Sequence, residues 1–194
     1  MLAALWLVAC VTQPSALTEP DAAQQAALLR GMSAFTLEGR VAVRAGDEGW
    51  QASVRWRQRD DISEVRLAGP FGAGALQLRF DGQTLSLTTS RGQTLSGDEA
   101  TATLRQQLGF DPPIAELRHW LLADAAPVDA AQIETGPNGR PATLQQQQWQ
   151  IAFEDYRAQP LQRSAVQMPR RLIATRGDVR LRLVVDRWKL GKAR

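Results

Sequence analysis

From Thr36 almost to the end of the chain, apolar and polar residues alternate with a period of two, and that rhythm limits the fold more than any other feature. In Trp50-Gln51-Ala52-Ser53-Val54-Arg55-Trp56-Arg57 every even position is apolar and every odd one polar. A strand with one buried and one wet face reads this way. The pattern recurs in Leu37/Gly39/Val41/Val43, Val65/Leu67, Leu76/Leu78/Phe80, Leu85/Leu87, Trp149/Ile151/Phe153 and Val179/Leu181/Leu183/Val185. Turn-forming residues separate these runs at 45–49, Arg59-Asp60-Asp61, Asp81-Gly82, Arg91-Gly92 and Asn138-Gly139. Short strands joined by tight turns predict an antiparallel meander, and its apolar face needs a cover.

Three stretches switch to helical spacing. Residues 21–33 carry Ala22, Ala26, Leu29 and Met32 on one face; 98–108 carry Leu104 and Leu108; 114–122 carry Ile114, Leu117, Trp120 and Leu121, with Asp111-Pro112-Pro113 ahead of them. These are the only candidates for the cover. The expected class is mainly β with α, an unclosed antiparallel β-barrel or curved sheet under a helical lid. At 194 residues one core is expected, with no internal repeat and no second-domain boundary. The glutamine run from Gln145 to Gln148 reads as a solvated edge or loop.

The first ten residues, Met-Leu-Ala-Ala-Leu-Trp-Leu-Val-Ala-Cys, form an uncharged apolar stretch too short to span a bilayer. Leu7-Val8-Ala9-Cys10 matches the bacterial lipobox, so Cys10 is the expected lipidation site. No basic residue precedes Arg30, and a longer natural precursor is therefore expected. This divides the chain into a signal remnant (1–9), a lipidated tether containing Pro14 and Pro20 (10–20) and one binding domain (21–194). Val11, in place of the aspartate that retains lipoproteins at the inner membrane, implies delivery to the outer membrane.

The scarce residues exclude much chemistry. With one histidine and one cysteine, no Cys/His metal site, internal disulfide or redox dithiol can be assembled, and no metal or cofactor is expected. Asp60/Asp61 and Glu154/Asp155 are adjacent pairs, whose members point to opposite faces of a strand, and read as turn or surface groups. His119 reads as a helix-surface residue. The glycines from Gly69 to Gly74 lead into a strand rather than a helix N-terminus, so no phosphate loop is expected. None of these groups supports an enzyme. All but two of the 23 basic residues are arginine, and the net charge of +3 points to an anionic partner: phosphate, a membrane surface or an acidic protein. Nucleic acid is not expected, because the arginines of the C-terminal stretch alternate with apolar residues as solvated strand positions do.

What remains is hydrophobic. Trp50, Trp56, Trp120, Trp149 and Trp188, with Leu67, Leu76, Leu78 and Leu117, could fill a core or could line a cavity beneath the lid suited to acyl chains. The Pro70-Phe71-Gly72 turn offers an aromatic that either projects as a contact for membranes or proteins or folds back onto the core.

The order of these features, a lipobox, a tether, a helix, Phe35-Thr36-Leu37-Glu38-Gly39-Arg40-Val41, a Trp-bearing second strand, Leu67-Ala68-Gly69-Pro70-Phe71-Gly72, a helix with Leu117, Arg118 and Trp120, and a closing Asp186-Arg187-Trp188, resembles the LolB family of outer-membrane lipoprotein receptors. The resemblance implies a monomer that takes the acyl chains of client lipoproteins from the periplasmic carrier LolA. Release is into the inner leaflet of the outer membrane, without a nucleotide. It also implies a cavity involving Trp50, Val54, Trp56, Leu67, Leu76, Leu78, Leu117, Trp120 and Trp149, and a membrane-insertion loop at Pro70, Phe71 and Gly72, where Phe71 replaces the family's usual leucine. The rival expectation is a passive outer-membrane lipoprotein with a filled core.

Overall fold

The computed structural model describes residues 17–69 and 74–191. After α1 (Ala22–Arg30), an antiparallel meander runs through β1 (Ala34–Ala45), β2 (Glu48–Arg59), β3 (Ile62–Ala68), β4 (Leu76–Phe80), β5 (Leu85–Thr89) and β6 (Thr94–Ser96). Two helices follow, α2 (Gly97–Leu108) and α3 (Ile114–Trp120). A second meander, β7 (Gln132–Thr135), β8 (Pro141–Gln146), β9 (Trp149–Leu161), β10 (Ser164–Arg176) and β11 (Val179–Leu190), completes the order. All strands belong to one 11-stranded sheet, β6-β5-β4-β3-β2-β1-β11-β10-β9-β8-β7. Its halves join where β1 pairs with β11, from Phe35 opposite Leu190 to Ala45 opposite Val179. Among the described residues β6 and β7 are its two unjoined edges, so the barrel is unclosed, as the alternation predicts.

Period two places Phe35, Leu37, Val41 and Val43 of β1 on the inner face, with Val54 and Trp56 of β2 beside them and Leu181, Leu183 and Val185 of β11 opposite. The inward position between Leu37 and Val41 is Gly39, and nothing larger fits: a Cβ there would run into the carbonyl oxygen of Val184. The pairing of β1 with β11 slips at this point, between Glu38 and Gly39, and the slip lets both Val185 and Trp188 face inward. Trp188 packs edge-on against Phe35 at 5.7 Å and donates its indole N–H to the Pro169 carbonyl.

Helix α1 begins with a capping box in which Asp21 accepts from the Gln24 amide and Gln24 reaches back to the Asp21 amide. The face it buries differs from expectation. Gln25 and Leu29 are covered, Ala22 is exposed, and Ala26 is only half-buried. Gln25 both donates to and accepts from the Gln167 backbone, so hydrogen bonding to β10 rather than alanine packing sets the helix rotation.

Residues 17–20, expected to belong to the tether, lie against the sheet. Thr18 donates its amide to the Arg163 carbonyl and accepts from the Ala165 amide, while Glu19 pairs with Arg140 at 3.0 Å. The glutamine run is a correction. Gln147 and Gln148 form the β8–β9 turn with positive φ angles of 49° and 64°, but Gln146 is buried. Its amide accepts from the Trp120 indole and the Ala126 amide and donates to the Ala126 carbonyl, which ties the segment after α3 to β8.

Candidate functional site

The inner face of β1–β4 and β11 forms a half-open cavity of about 80 Å³, lined without exception by apolar side chains. Its floor and walls come from alternating positions: Leu37, Val41 and Val43 of β1, Trp50, Val54 and Trp56 of β2, Val65 and Leu67 of β3, Leu78 of β4, and Leu181 and Leu183 of β11. The roof is the α2–α3 region, through Leu108, Phe110, Pro112, Ile114, Leu117 and Leu121. Gly109, at φ 79°, ends α2, and Pro112-Pro113 set the start of α3, from which Ile114 and Leu117 line the cavity.

Of the residues expected in a cavity, six meet there: Trp50, Val54, Trp56, Leu67, Leu78 and Leu117. Three do not. Leu76 is buried outside the lining, and Trp120 and Trp149 are almost wholly enclosed in packing behind the roof, joined to the cavity through Phe110. There Trp149 lies 6.1 Å from Trp120 and 6.2 Å from Phe110, with the Arg176 guanidinium 4.5 Å from its ring centroid. Trp120 lies one helical turn beyond Glu116 and Leu117, at the C-terminal end of α3, where its indole reaches Gln146 of β8 instead of the cavity. Thus the two expectations for the tryptophan set each describe part of it: some fill a core and others line a cavity.

Two polar clasps hold the roof. At one side Trp50 donates its indole N–H to the Leu108 carbonyl at the end of α2, 3.4 Å away. At the other, the Arg118 guanidinium of α3 reaches Asp61 at 2.7 Å and the Asp60 carbonyl at 3.3 Å, on the β2–β3 turn. Beneath that turn, buried Gln58 accepts from the Trp56 indole and the Ser63 hydroxyl and donates to the Asp60 carbonyl. The polar atoms near the cavity are therefore bonded to one another rather than presented to its interior.

His119 is half-buried beside this clasp rather than on an open helix surface. Its Nε2 accepts from Arg118 Nε at 3.0 Å. Burial, with a smaller push from the Arg118 charge, holds the imidazole pKa below its ordinary value of 6.5, against weaker opposing pulls from Asp124 and Asp61. A group with a depressed folded-state pKa is charged more readily in the unfolded chain. Stability contributed by neutral His119 is thus complete above pH 6.5 and is lost as pH falls through 6.5 toward the lower folded value. The denaturant midpoint is expected to drop on acidification across that range, and H119Q, which keeps an acceptor but does not titrate, is expected to flatten the drop; equal slopes in both proteins would refute it.

Cys10 and the Pro70-Phe71-Gly72 turn lie outside the described residues. β3 and β4 last pair at Leu67 and Leu76, so the turn connects strands whose inward residues Leu67 and Leu78 line the cavity. Among the described residues no group of three or more His, Cys, Asp or Glu could hold a metal ion, and no helix is long and apolar enough to cross a membrane.

An unclosed antiparallel barrel whose wholly apolar cavity is roofed by helices defines a class of helix-capped open β-barrels. Two solved structures share it. One is a putative outer membrane lipoprotein-sorting protein domain from Vibrio parahaemolyticus, with a TM-score of 0.51, 10% identity and coverage of 87% of this chain and 90% of that one. The other is a LolA superfamily protein from Nitrosomonas europaea, with a TM-score of 0.51, 13% identity and coverage of 87% and 94%. The chain belongs to the outer membrane lipoprotein LolB family, whose sequence model matches residues 33–188. Proteins named outer-membrane lipoprotein LolB from Alkalilimnicola ehrlichii and Azoarcus sp. are each 33% identical to it. The first covers 97% of this chain and 94% of the relative, and the second 94% of each. Family membership places the chain at the outer membrane of a Gram-negative bacterium, in lipoprotein localisation.

Proposed function

We propose that this protein receives lipoproteins from a LolA-type periplasmic carrier, holds their acyl chains in the cavity between β1–β4, β11 and the α2–α3 roof, and passes them to the outer membrane. Cys10 carries the lipid anchor, residues 1–9 belong to an export signal, and Phe71 contacts the bilayer. The observation that carries this reading is the cavity's lining: 17 residues from five strands and the helical roof, all of them apolar. A site of that kind offers an acyl chain the removal of its surface from water, worth about 0.8 kcal/mol per methylene, and offers a polar ligand nothing. The cavity is half-open, and loading widens it by lifting the roof from the strands. The clasps at Trp50 and Arg118 are then the contacts that open. No nucleotide is needed, because transfer runs from a weaker to a stronger apolar host and ends in the bilayer.

The test uses the chain with C10A, which cannot be acylated, mixed with purified carrier bearing a lipidated lipoprotein. The lipoprotein is expected to leave the carrier and co-purify with this chain. If it stays on the carrier at equal concentrations, the passive lipoprotein is the correct reading.

A further inference from the structure

The outer face of the same strands carries a charge pattern that the cavity does not explain. Only three carboxylates, Glu38, Glu64 and Asp186, lie on it across β11, β1, β2, β3 and β4, and each is already engaged. Glu38 pairs with Arg55 and Arg187, Glu64 with Arg57 and Arg79, and Asp186 with Arg40. Arg66, Arg180 and Arg182 are exposed on this face and form no ion pair among the described residues. Two of the cross-strand pairs set like charges directly opposite each other, Arg44 against Arg180 and Arg55 against Arg66. Opposed like charges weaken a sheet, so the arrangement is costly unless an anion comes between them. Between Arg40 and Arg182 the surface dips into an open trough of about 630 Å³ over Ala42, Ser53, Ala68 and Gly69. Gly69 immediately precedes the Pro70-Phe71-Gly72 turn.

We propose that this outer face, centred on Arg66, Arg180 and Arg182 and on the trough that leads to Gly69, lies against the membrane and binds the phosphates of anionic phospholipids. The occupant is a bilayer rather than the acidic face of a protein carrier for two reasons. The cavity and the arginines stand on opposite faces of β1, β2, β3 and β11, so a carrier seated on the arginines could not hand its cargo to the cavity. The trough also runs to the β3–β4 turn, and a protein of the outer membrane keeps this surface within reach of phosphates at all times. Arginine suits that ligand, because its planar fork meets two phosphate oxygens at once and stays charged at any physiological pH. The proposal rests on the outer-membrane location of the family and not on the transfer reading.

The experiment compares the C10A chain with the same chain carrying R66Q, R180Q and R182Q. Both are sedimented with vesicles of phosphatidylcholine alone and with vesicles in which phosphatidylglycerol replaces part of it. Each arginine near an anionic surface contributes about fivefold, so the triple change is expected to weaken binding to the anionic vesicles on the order of a hundredfold. Binding to neutral vesicles is expected to be unchanged. A control with R30Q, R91Q and R163Q, at the end of α1 and in the β5–β6 and β9–β10 turns, removes the same charge elsewhere and is expected to retain most of the affinity. Because the three outer-face side chains have no ion-pair partner among the described residues, their replacement is expected to leave the sheet intact. Adding salt to the unsubstituted chain supplies a second readout, in which anionic binding alone should fall. Equal losses in both triple variants, or equal binding to both vesicle types, overturn the proposal. So does a triple variant that loses affinity for the carrier but not for vesicles, which makes the face a protein-docking surface. Anionic vesicle binding through this face by a chain that accepts no lipoprotein overturns the transfer reading and leaves this one standing.

Discussion

Phe71→Glu is expected to abolish the delivery of lipoproteins to membranes while leaving the fold and the loading of acyl chains unchanged. Phe71 sits between Pro70, which fixes its own φ and has no N–H for a ladder, and Gly72, so the segment cannot continue either strand. The last paired residues on each side, Leu67 and Leu76, belong to the cavity wall and to the core. Placing an aromatic side chain of this size in the acyl region of a bilayer gains about 2 kcal/mol. A glutamate at the same tip reverses the sign and meets the phosphates of the contacted leaflet with like charge. In the proposed mechanism loading takes place on the inner face of the sheet, and nothing in that lining changes. The measurement is paired: transfer from carrier to the soluble chain, then from the loaded chain to vesicles. The first is expected to match the unsubstituted protein and the second to vanish. Phe71→Leu, which keeps an apolar tip, is expected to retain both. Unchanged incorporation with Phe71→Glu would remove the turn from the mechanism.

Much of this arrangement was legible in the sequence because one-sided strands announce themselves. The alternation in β1, β2 and β11 named the inner face residue by residue, and six expected cavity residues come together there. Where the pattern failed, a local physical event had displaced it. In β10 the inward residues Val166, Met168, Leu172 and Ala174 keep one parity, but polar Arg170 occupies the position between them and its neighbour Pro169 is buried, so the apolar series is interrupted. In β8 one inward residue, beside Leu144, is Gln146, whose polarity disguised a buried position that four hydrogen bonds satisfy. Apolar character alone also could not separate the lining from the packed core. Trp120 and Leu117 belong to the same short helix and differ by three positions, yet one seals against Trp149 and the other faces the cavity. That distinction depends on how α3 is rotated, and the rotation is fixed by distant partners, Gln146 on one side and Asp61 on the other.

Leu117 therefore offers the sharper test of the cavity, because its position on the roof separates the cost of folding from the cost of loading. In the empty protein Leu117 is only half-buried and the cavity is half-open, so a carboxylate introduced by Leu117→Glu keeps contact with water. Its effect on the denaturant midpoint is expected to be small. Once an acyl chain fills the cavity, the same carboxylate must lose that water or hold the roof open. Burying an unpaired polar group costs about 1–3 kcal/mol by mutational measures, and a charge costs more. Loading is thus expected to weaken on the order of a hundredfold or more, since each 1.4 kcal/mol is about a factor of ten. Leu117→Met, which preserves volume and apolarity, is expected to load normally. Trp120→Phe serves as the contrast, because it removes the indole N–H bonded to Gln146 in the packed cluster outside the cavity. It is expected to lower the denaturant midpoint while the folded fraction still loads. If Leu117→Glu loads as well as the unsubstituted chain, acyl chains do not pass beneath α3, and the apolar lining is a structural core with a gap in it rather than a binding site.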